Sequence, residues 1–165
     1  FLPKDIAVTN AYEVPMDFHA RYSCKGKEYI YKIWNNKIRN PFLNNRAFHY
    51  WYPLDENYLN SAAQMFIGSH DFTSFATLDK RETKNMIRNI KSFNVYRNGD
   101  MVEFKVKADG FLYNMVRIMS GTLLRVAQNK INPKDISAII ESKNRKNAGP
   151  TAPAEGLYLN QVFYD

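Results

Sequence analysis

Apolar and polar residues change their period several times along the chain, and each change marks an element. Residues Ile6 to Val14 alternate loosely and stop at Pro15, which predicts an opening strand. From Lys27 to Asn35 the alternation is cleaner: Tyr29, Tyr31 and Ile33 fall on one face, and Ile30, Lys32 and Trp34 on the other. Asn40-Pro41 and Asn44-Asn45 mark a loop ahead of the aromatic run Phe48 to Tyr52. Asp55 suits a helix N-cap, Leu59, Ala62, Ala63 and Phe66 recur at helical spacing, and Gly68 sits where such a helix stops. Phe93 and Val95 alternate toward Asn98-Gly99, and Val102, Phe104 and Val106 alternate away from it, the signature of a hairpin. Between Leu112 and Ala127 the period is helical again, with a dense stripe of Met115, Val116, Met119, Leu123 and Val126. Asn132-Pro133 opens a shorter helix that turns Ile136, Ile139 and Ile140 inward. After a loop from Lys143 to Gly156, Leu157 to Tyr164 reads as a closing strand.

This mixed order, with a hairpin link, predicts an α+β fold: a largely antiparallel sheet packed on one side by helices. No Gly/Ser linker, low-complexity tract or repeat interrupts the chain, so residues 1–165 are expected to form a single domain. A chain of 165 residues is long enough to fold without a disulfide or metal staple. The 45% hydrophobic and 15% aromatic content excludes a disordered chain. No apolar run is long enough to span a membrane. The single cysteine, Cys24, excludes an internal disulfide and a cysteine-rich zinc site, which points to a reducing, cytoplasmic setting. Lys plus Arg number 23 against 16 acids, a net charge of +7 that favours a polyanionic partner.

Candidate chemistry is sparse. His70-Asp71, with His19 and His49 elsewhere, invites a metal-phosphohydrolase reading, but no His pair has ligand spacing and the dipeptide follows a helix-ending glycine, so a structural loop is expected. Glycines for a P-loop or a dinucleotide fingerprint are missing, and neither Ser74 nor Ser120 lies in a nucleophile elbow. Tyr29 and Tyr31 share a strand face, which suits either two core aromatics or two π surfaces offered to nucleobases. Arg117 stands inside the most apolar helix, where a guanidinium must reach water or meet an anion. Arg21, Lys25, Lys27 and Lys32 cluster near the first strands, and Lys143, Arg145 and Lys146 in the last loop; interleaved with aromatics they fit a nucleic-acid backbone.

Six blocks together carry a family resemblance. They are Leu2-Pro3-Lys4-Asp5-Ile6-Ala7-Val8, Phe18-His19-Ala20-Arg21-Tyr22-Ser23, Tyr29-Ile30-Tyr31, Gly68-Ser69-His70-Asp71-Phe72-Thr73-Ser74-Phe75, Asn114-Met115-Val116-Arg117 and the run from Ala148 to Leu159. In this order they resemble the second half of the tRNA pseudouridine synthases of the TruA type. The resemblance implies the pseudouridine synthase fold and an isomerase in which an aspartate attacks the target uridine, the glycosidic bond breaks and uracil rejoins through carbon 5. Substrate and product are isomers, so no cofactor or metal is expected. Tyr29 matches the tyrosine that stacks on the base and is a candidate to move the carbon-5 proton. Arg117 matches the partner of the nucleophilic aspartate, and Leu157 an apolar residue against the flipped base. Arg21 and Tyr31 complete the expected substrate-binding set. An adjacent guanidinium keeps a buried carboxylate ionised, as a nucleophile must be.

The resemblance further implies tRNA as partner, in its anticodon arm, and a homodimer in the full-length protein. The family's nucleophile lies in an Arg-Thr-Asp-x-Gly-Val-His motif that is nowhere in this sequence, and Asp5, Asp17, Asp71 and Asp109 lack that context. The chain is therefore expected to be the C-terminal domain of a longer synthase and to be inactive by itself. The alternative is a non-catalytic RNA-binding or dimerisation module that kept the fold.

Overall fold

The computed structural model describes residues 1–77 and 85–164. The sheet is built outward from β1 (Gly26–Trp34), whose alternating aromatic and β-branched residues suit a strand buried on one face. One side of β1 pairs antiparallel with β5 (Met101–Ala108), which continues through β4 (Ile87–Asn98) to β3 (Gly68–Asp71) at the edge. The other side of β1 is shared. Its first residues pair antiparallel with β6 (Leu157–Phe163), and Ile33 and Trp34 pair parallel with the short β2 (Phe48–His49). Five strands lie in the order β2-β1-β5-β4-β3, with β6 beside β1, and every pairing among the described residues except β1 with β2 is antiparallel.

The hairpin forms where alternation predicts it, but the turn is shifted by one residue. Asn98 still pairs with Met101, so the two-residue loop is Gly99-Asp100, and Gly99 takes the positive φ of 56° that such a tight connection demands. Three helices cover one face. α1 (Glu56–Ala63) starts on Asp55, whose side chain accepts the Tyr58 N–H, and it buries Leu59, Ala62 and Ala63. α2 (Met115–Ala127) is buried along most of its length, and α3 (Asp135–Glu141) turns Ile136, Ile139 and Ile140 inward, beginning two residues beyond Pro133. One continuous apolar cluster joins these helices to Tyr31, Ile33, Phe93, Phe104 and Val106 of the sheet. The fold is α+β, a mostly antiparallel sheet with its helices on one side. Among the described residues no helix is long and apolar enough to cross a membrane.

The uncovered face of the sheet is basic and aromatic. Lys32 lies over the Tyr158 ring at 4.8 Å, Lys105 over Tyr96 at 5.7 Å and Lys107 over Phe163 at 3.7 Å, each cation close to an aromatic ring.

The opening strand expected over Ile6 to Val14 does not form. Those residues are exposed and unpaired, since alternation alone does not provide a sheet edge to pair with. Only the end of this segment is tied down. Phe18 packs on Tyr164 with ring centroids 5.0 Å apart, the Tyr164 hydroxyl donates to the Ala20 carbonyl at 2.9 Å, and the Lys25 N–H donates to Phe163 at 2.7 Å.

Candidate functional site

A cleft of about 360 Å³ opens where β1, β6 and the start of α2 converge; Tyr29, Phe111, Asn114, Arg117, Ala154 and Leu157 line it. Each wall has a local cause. Tyr31 pairs with Leu157 and Tyr29 with Leu159, so the register of β1 with β6 places Tyr29 and Leu157 on the same face. Gly156 makes that approach possible: a Cβ there would lie 2.7 Å from the Lys32 carbonyl oxygen and 2.8 Å from the Tyr31 ring. Tyr29 is half-buried, and its ring meets Phe111 edge-on at 5.1 Å and 84°. Burial raises the pKa of its phenol, so the hydroxyl stays protonated through the neutral range.

Arg117 occupies the first turn of α2, between buried Val116 and Ile118. It neither snorkels freely nor meets a carboxylate among the described residues. Its Nε donates to the Ala152 carbonyl at 2.7 Å and its Nη1 to the Asn114 side-chain oxygen at 3.1 Å. Nη2 has no protein acceptor among the described residues. Asn114 is itself held. It adopts a left-handed φ of 61°, which Asn tolerates better than most residues, and its amide donates to Thr77 Oγ1 at 3.1 Å. A cation in the first turn of a helix sits at the positive end of the macrodipole, an arrangement that costs about 0.3–1 kcal/mol unless an anion joins it. None of the described residues lining the cleft is an acid, and these present a fixed guanidinium beside an aromatic face and an apolar rim.

The structure thus brings together Tyr29, Arg117 and Leu157. It separates Tyr31 from them. That ring is fully buried and its hydroxyl donates to the Pro153 carbonyl at 2.7 Å, so the substrate contact expected of Tyr31 is corrected to a structural one. Two tyrosines on one face look alike in sequence; the loop from Ala152 to Gly156 covers only the second. Arg21 lies outside the cleft, on a neighbouring groove that shares Phe111 with it.

The other candidates resolve into structural roles. Asp71 accepts from the Thr73 N–H at 3.0 Å and its hydroxyl at 2.6 Å and pairs with Lys143 at 3.0 Å. Burial pushes its pKa up, yet the bonds from Thr73 and Lys143 outweigh this and hold the carboxyl below its ordinary value. His70 bonds through Nε2 to the Ile67 carbonyl, His49 to that of Asn36, and His19 accepts from the N–H groups of Arg21 and Tyr22. Among the described residues no three His, Cys, Asp or Glu side chains are close enough to hold a metal ion. Ser74 and Ser120 are buried and donate to the Ile139 and Val116 carbonyls. The second basic cluster is largely consumed: Lys143 by Asp71, and Arg145 by Gly149 and Thr151, with burial lowering the Arg145 pKa.

Sequence reasoning missed Phe111, Asn114 and Ala152. Asn114 was detectable, being three residues before Arg117 on a helix and therefore on its side. The Ala152 contact, spanning 35 positions, left no local signal.

Comparison with known proteins gives the family. The family model described as tRNA pseudouridine synthase matches residues 62–165. The tRNA pseudouridine synthase A 2 of Clostridium tetani is 46% identical over 165 residues, covering 100% of this chain and 66% of the relative. The tRNA pseudouridine synthase A of Acetivibrio thermocellus is 46% identical over 163 residues, with 99% and 66% covered, and that of Geobacillus kaustophilus 44% over 164 residues, with 99% and 63% covered. The chain therefore spans just under two thirds of the length of these relatives. On the strength of that match over nearly its whole length, the chain belongs to the tRNA pseudouridine synthase family.

Proposed function

We propose that this chain forms one domain of an isomerase that converts uridine to pseudouridine in the anticodon arm of tRNA. The observation that carries the reading is the Arg117 guanidinium, fixed by Ala152 and Asn114, with Nη2 unpaired and no acid in the cleft lining among the described residues. Such a cation calls for a carboxylate brought from elsewhere, and the nucleophilic aspartate of the full-length protein has the required charge. The extruded uridine stacks on Tyr29 with Leu157 at its edge; stacking of this kind is worth about 1–3 kcal/mol, comparable to the cost of taking one base out of its stack. The aspartate displaces uracil from carbon 1′, breaking the glycosidic bond; uracil turns, its carbon 5 displaces the aspartate in turn, and the carbon-5 proton is removed while N1 takes one up. Tyr29 is the candidate to take that proton, Arg21 contacts RNA outside the cleft, and the full-length protein works as a cytoplasmic homodimer.

The test is to incubate unmodified tRNA transcripts with the full-length protein and, separately, with the 165-residue chain, and to measure pseudouridine, which has the mass of uridine, by selective chemical derivatisation and sequencing. Pseudouridine is expected from the full-length protein and none from this chain, which lacks the Arg-Thr-Asp-x-Gly-Val-His motif. Conversion by the chain alone would show that its own residues supply the nucleophile. RNA binding without conversion by the full-length protein would leave a binding module.

A further inference from the structure

Phe111 is a partition. On one side its ring meets Tyr29 in the cleft, and on the other it borders a second groove of about 400 Å³ with Gly110 at its floor. Three cations line that groove: Arg21, Lys27 and Arg88. None is paired with a carboxylate among the described residues. Among the described residues the one acid in the lining, Asp109, is tied to the backbone, its Oδ1 accepting the Asn89 N–H at 3.0 Å. The groove therefore carries an excess of positive charge, which a protein surface normally places opposite an anion.

Its cations are positioned from three separate elements. Lys27 leaves β1 two residues before Tyr29, so the same strand serves both hollows. Arg88 belongs to β4, and its Nη1 donates to the Asn85 and Ile87 carbonyls at 3.0 and 2.6 Å, which fixes the guanidinium and leaves Nε and Nη2 available. Gly110 lies against Arg88, where a Cβ would make ordinary van der Waals contact with Arg88 Nε at 3.5 Å. Arg21 is presented by the compact turn around His19, whose Nδ1 accepts the Arg21 N–H at 3.1 Å, while Cys24 Sγ bonds the Arg21 carbonyl at 3.1 Å.

We infer that this groove binds the RNA phosphodiester next to the nucleotide whose base enters the cleft, with Lys27 and Arg88 as its principal ligands and Arg21 at the rim. The inference rests on the proposed function, since a flipped base in the cleft puts its own backbone just outside it. A single layer of protein, the Gly110-Phe111 segment, separates base from backbone. Phosphate contacts of this type set register without reading sequence.

The experiment is binding of an unmodified tRNA transcript to the full-length protein across a potassium chloride series, for the wild type and for Arg88→Gln, Lys27→Gln and Arg88→Lys. Each lost phosphate contact lowers the slope of log affinity against log salt by about 0.7–0.9. Arg88→Gln and Lys27→Gln are expected to weaken binding and to flatten the slope by one such step each, and Arg88→Lys to keep the slope. Weaker binding with an unchanged slope, or no change at all, overturns the inference. Should Arg88→Gln not fold, Lys27→Gln on β1 gives the same reading. The two failures are distinguishable: a wild type that makes no pseudouridine defeats the proposed function, whereas an active wild type whose variants keep the slope defeats only this groove.

Discussion

Arg117 and Ala152 hold each other through both side chain and main chain: the Arg117 Nε donates to the Ala152 carbonyl at 2.7 Å, and the Ala152 N–H donates to the Arg117 carbonyl at 3.0 Å. The guanidinium is thereby fixed to a loop rather than to a carboxylate, and its outer edge is aimed into the cleft that Tyr29 and Leu157 line. Two of its five N–H donors are committed by this clamp and by Asn114, which preorganises the rest without neutralising the charge.

Arg117→Ala in the full-length protein is predicted to lower kcat by about 10²–10³-fold, the scale for removing one preorganised charge-stabilising donor. tRNA affinity should stay near that of the wild type, because the partner is the nucleophile and not a phosphate. Arg117→Lys should recover little, since an ammonium cannot reach Ala152 and Asn114 and still present a planar edge. Single-turnover rates alongside filter binding separate the two quantities. A fall in affinity at constant rate would make Arg117 a phosphate contact.

Tyr29→Phe keeps the ring that meets Phe111 and removes only the hydroxyl. Because burial raises the phenol's pKa above its ordinary value of 10, a Tyr29 that takes the carbon-5 proton must ionise first, and the rate should keep rising with pH toward that value. A drop in kcat at unchanged tRNA affinity is expected if the phenol moves the carbon-5 proton. Full activity would restrict Tyr29 to stacking, and Tyr29→Ala would then carry the loss.

Much of this arrangement was legible along the chain, and the boundary of what was legible is physical. The β4–β5 hairpin and α2 followed from local periodicity, because their partners lie nearby in sequence or their apolar faces are dense. Arg117 stood out for the same reason, a cation where period demanded an apolar neighbour. The segment Ile6 to Val14 misled because alternation says which face a strand would bury and not whether an edge receives it. Tyr31 was indistinguishable from Tyr29 until Pro153, more than a hundred residues away, was seen to cover it. Lys143 and Arg145 read as free charge because Asp71 and the Gly149 and Thr151 oxygens that occupy them are set by the tertiary fold.

Gly121→Ala is predicted to damage the site without touching it. Gly121 of α2 lies directly beneath the loop that carries Ala152: a Cβ there would sit 1.8 Å from the Pro150 carbonyl oxygen, and a Cβ on Gly149 would meet the Thr122 backbone at 2.6 Å. The Pro150 backbone cannot give way by rotating a side chain, so the loop must lift, at a cost of about 1–3 kcal/mol or more. Lifting it withdraws the Ala152 carbonyl from Arg117. Thermal unfolding and kcat should therefore fall together while tRNA affinity holds. A lowered Tm with wild-type kcat would mean that Asn114 alone is enough to position the guanidinium.

Tyr31 gives the fold an alkaline limit. Its phenol is pushed well above the ordinary value of 10, by burial first and then by the charge of Glu155, with Arg117 offsetting part of the shift. The folded state therefore keeps this proton where the unfolded chain releases it, so the contribution is intact below pH 10 and is lost as pH rises toward the folded value. Tyr31→Phe removes that dependence together with the hydrogen bond to Pro153, which is worth about 1 kcal/mol. Urea unfolding at pH 8 should find the variant less stable than the wild type by roughly that amount. At pH 11 the gap should narrow, since only the wild type still has this phenol to ionise on unfolding. An equal gap at both pH values would mean that the Tyr31 hydroxyl titrates alike in the folded and unfolded chains, and the loop over it would then be more open in solution than its 2.7 Å bond to Pro153 implies.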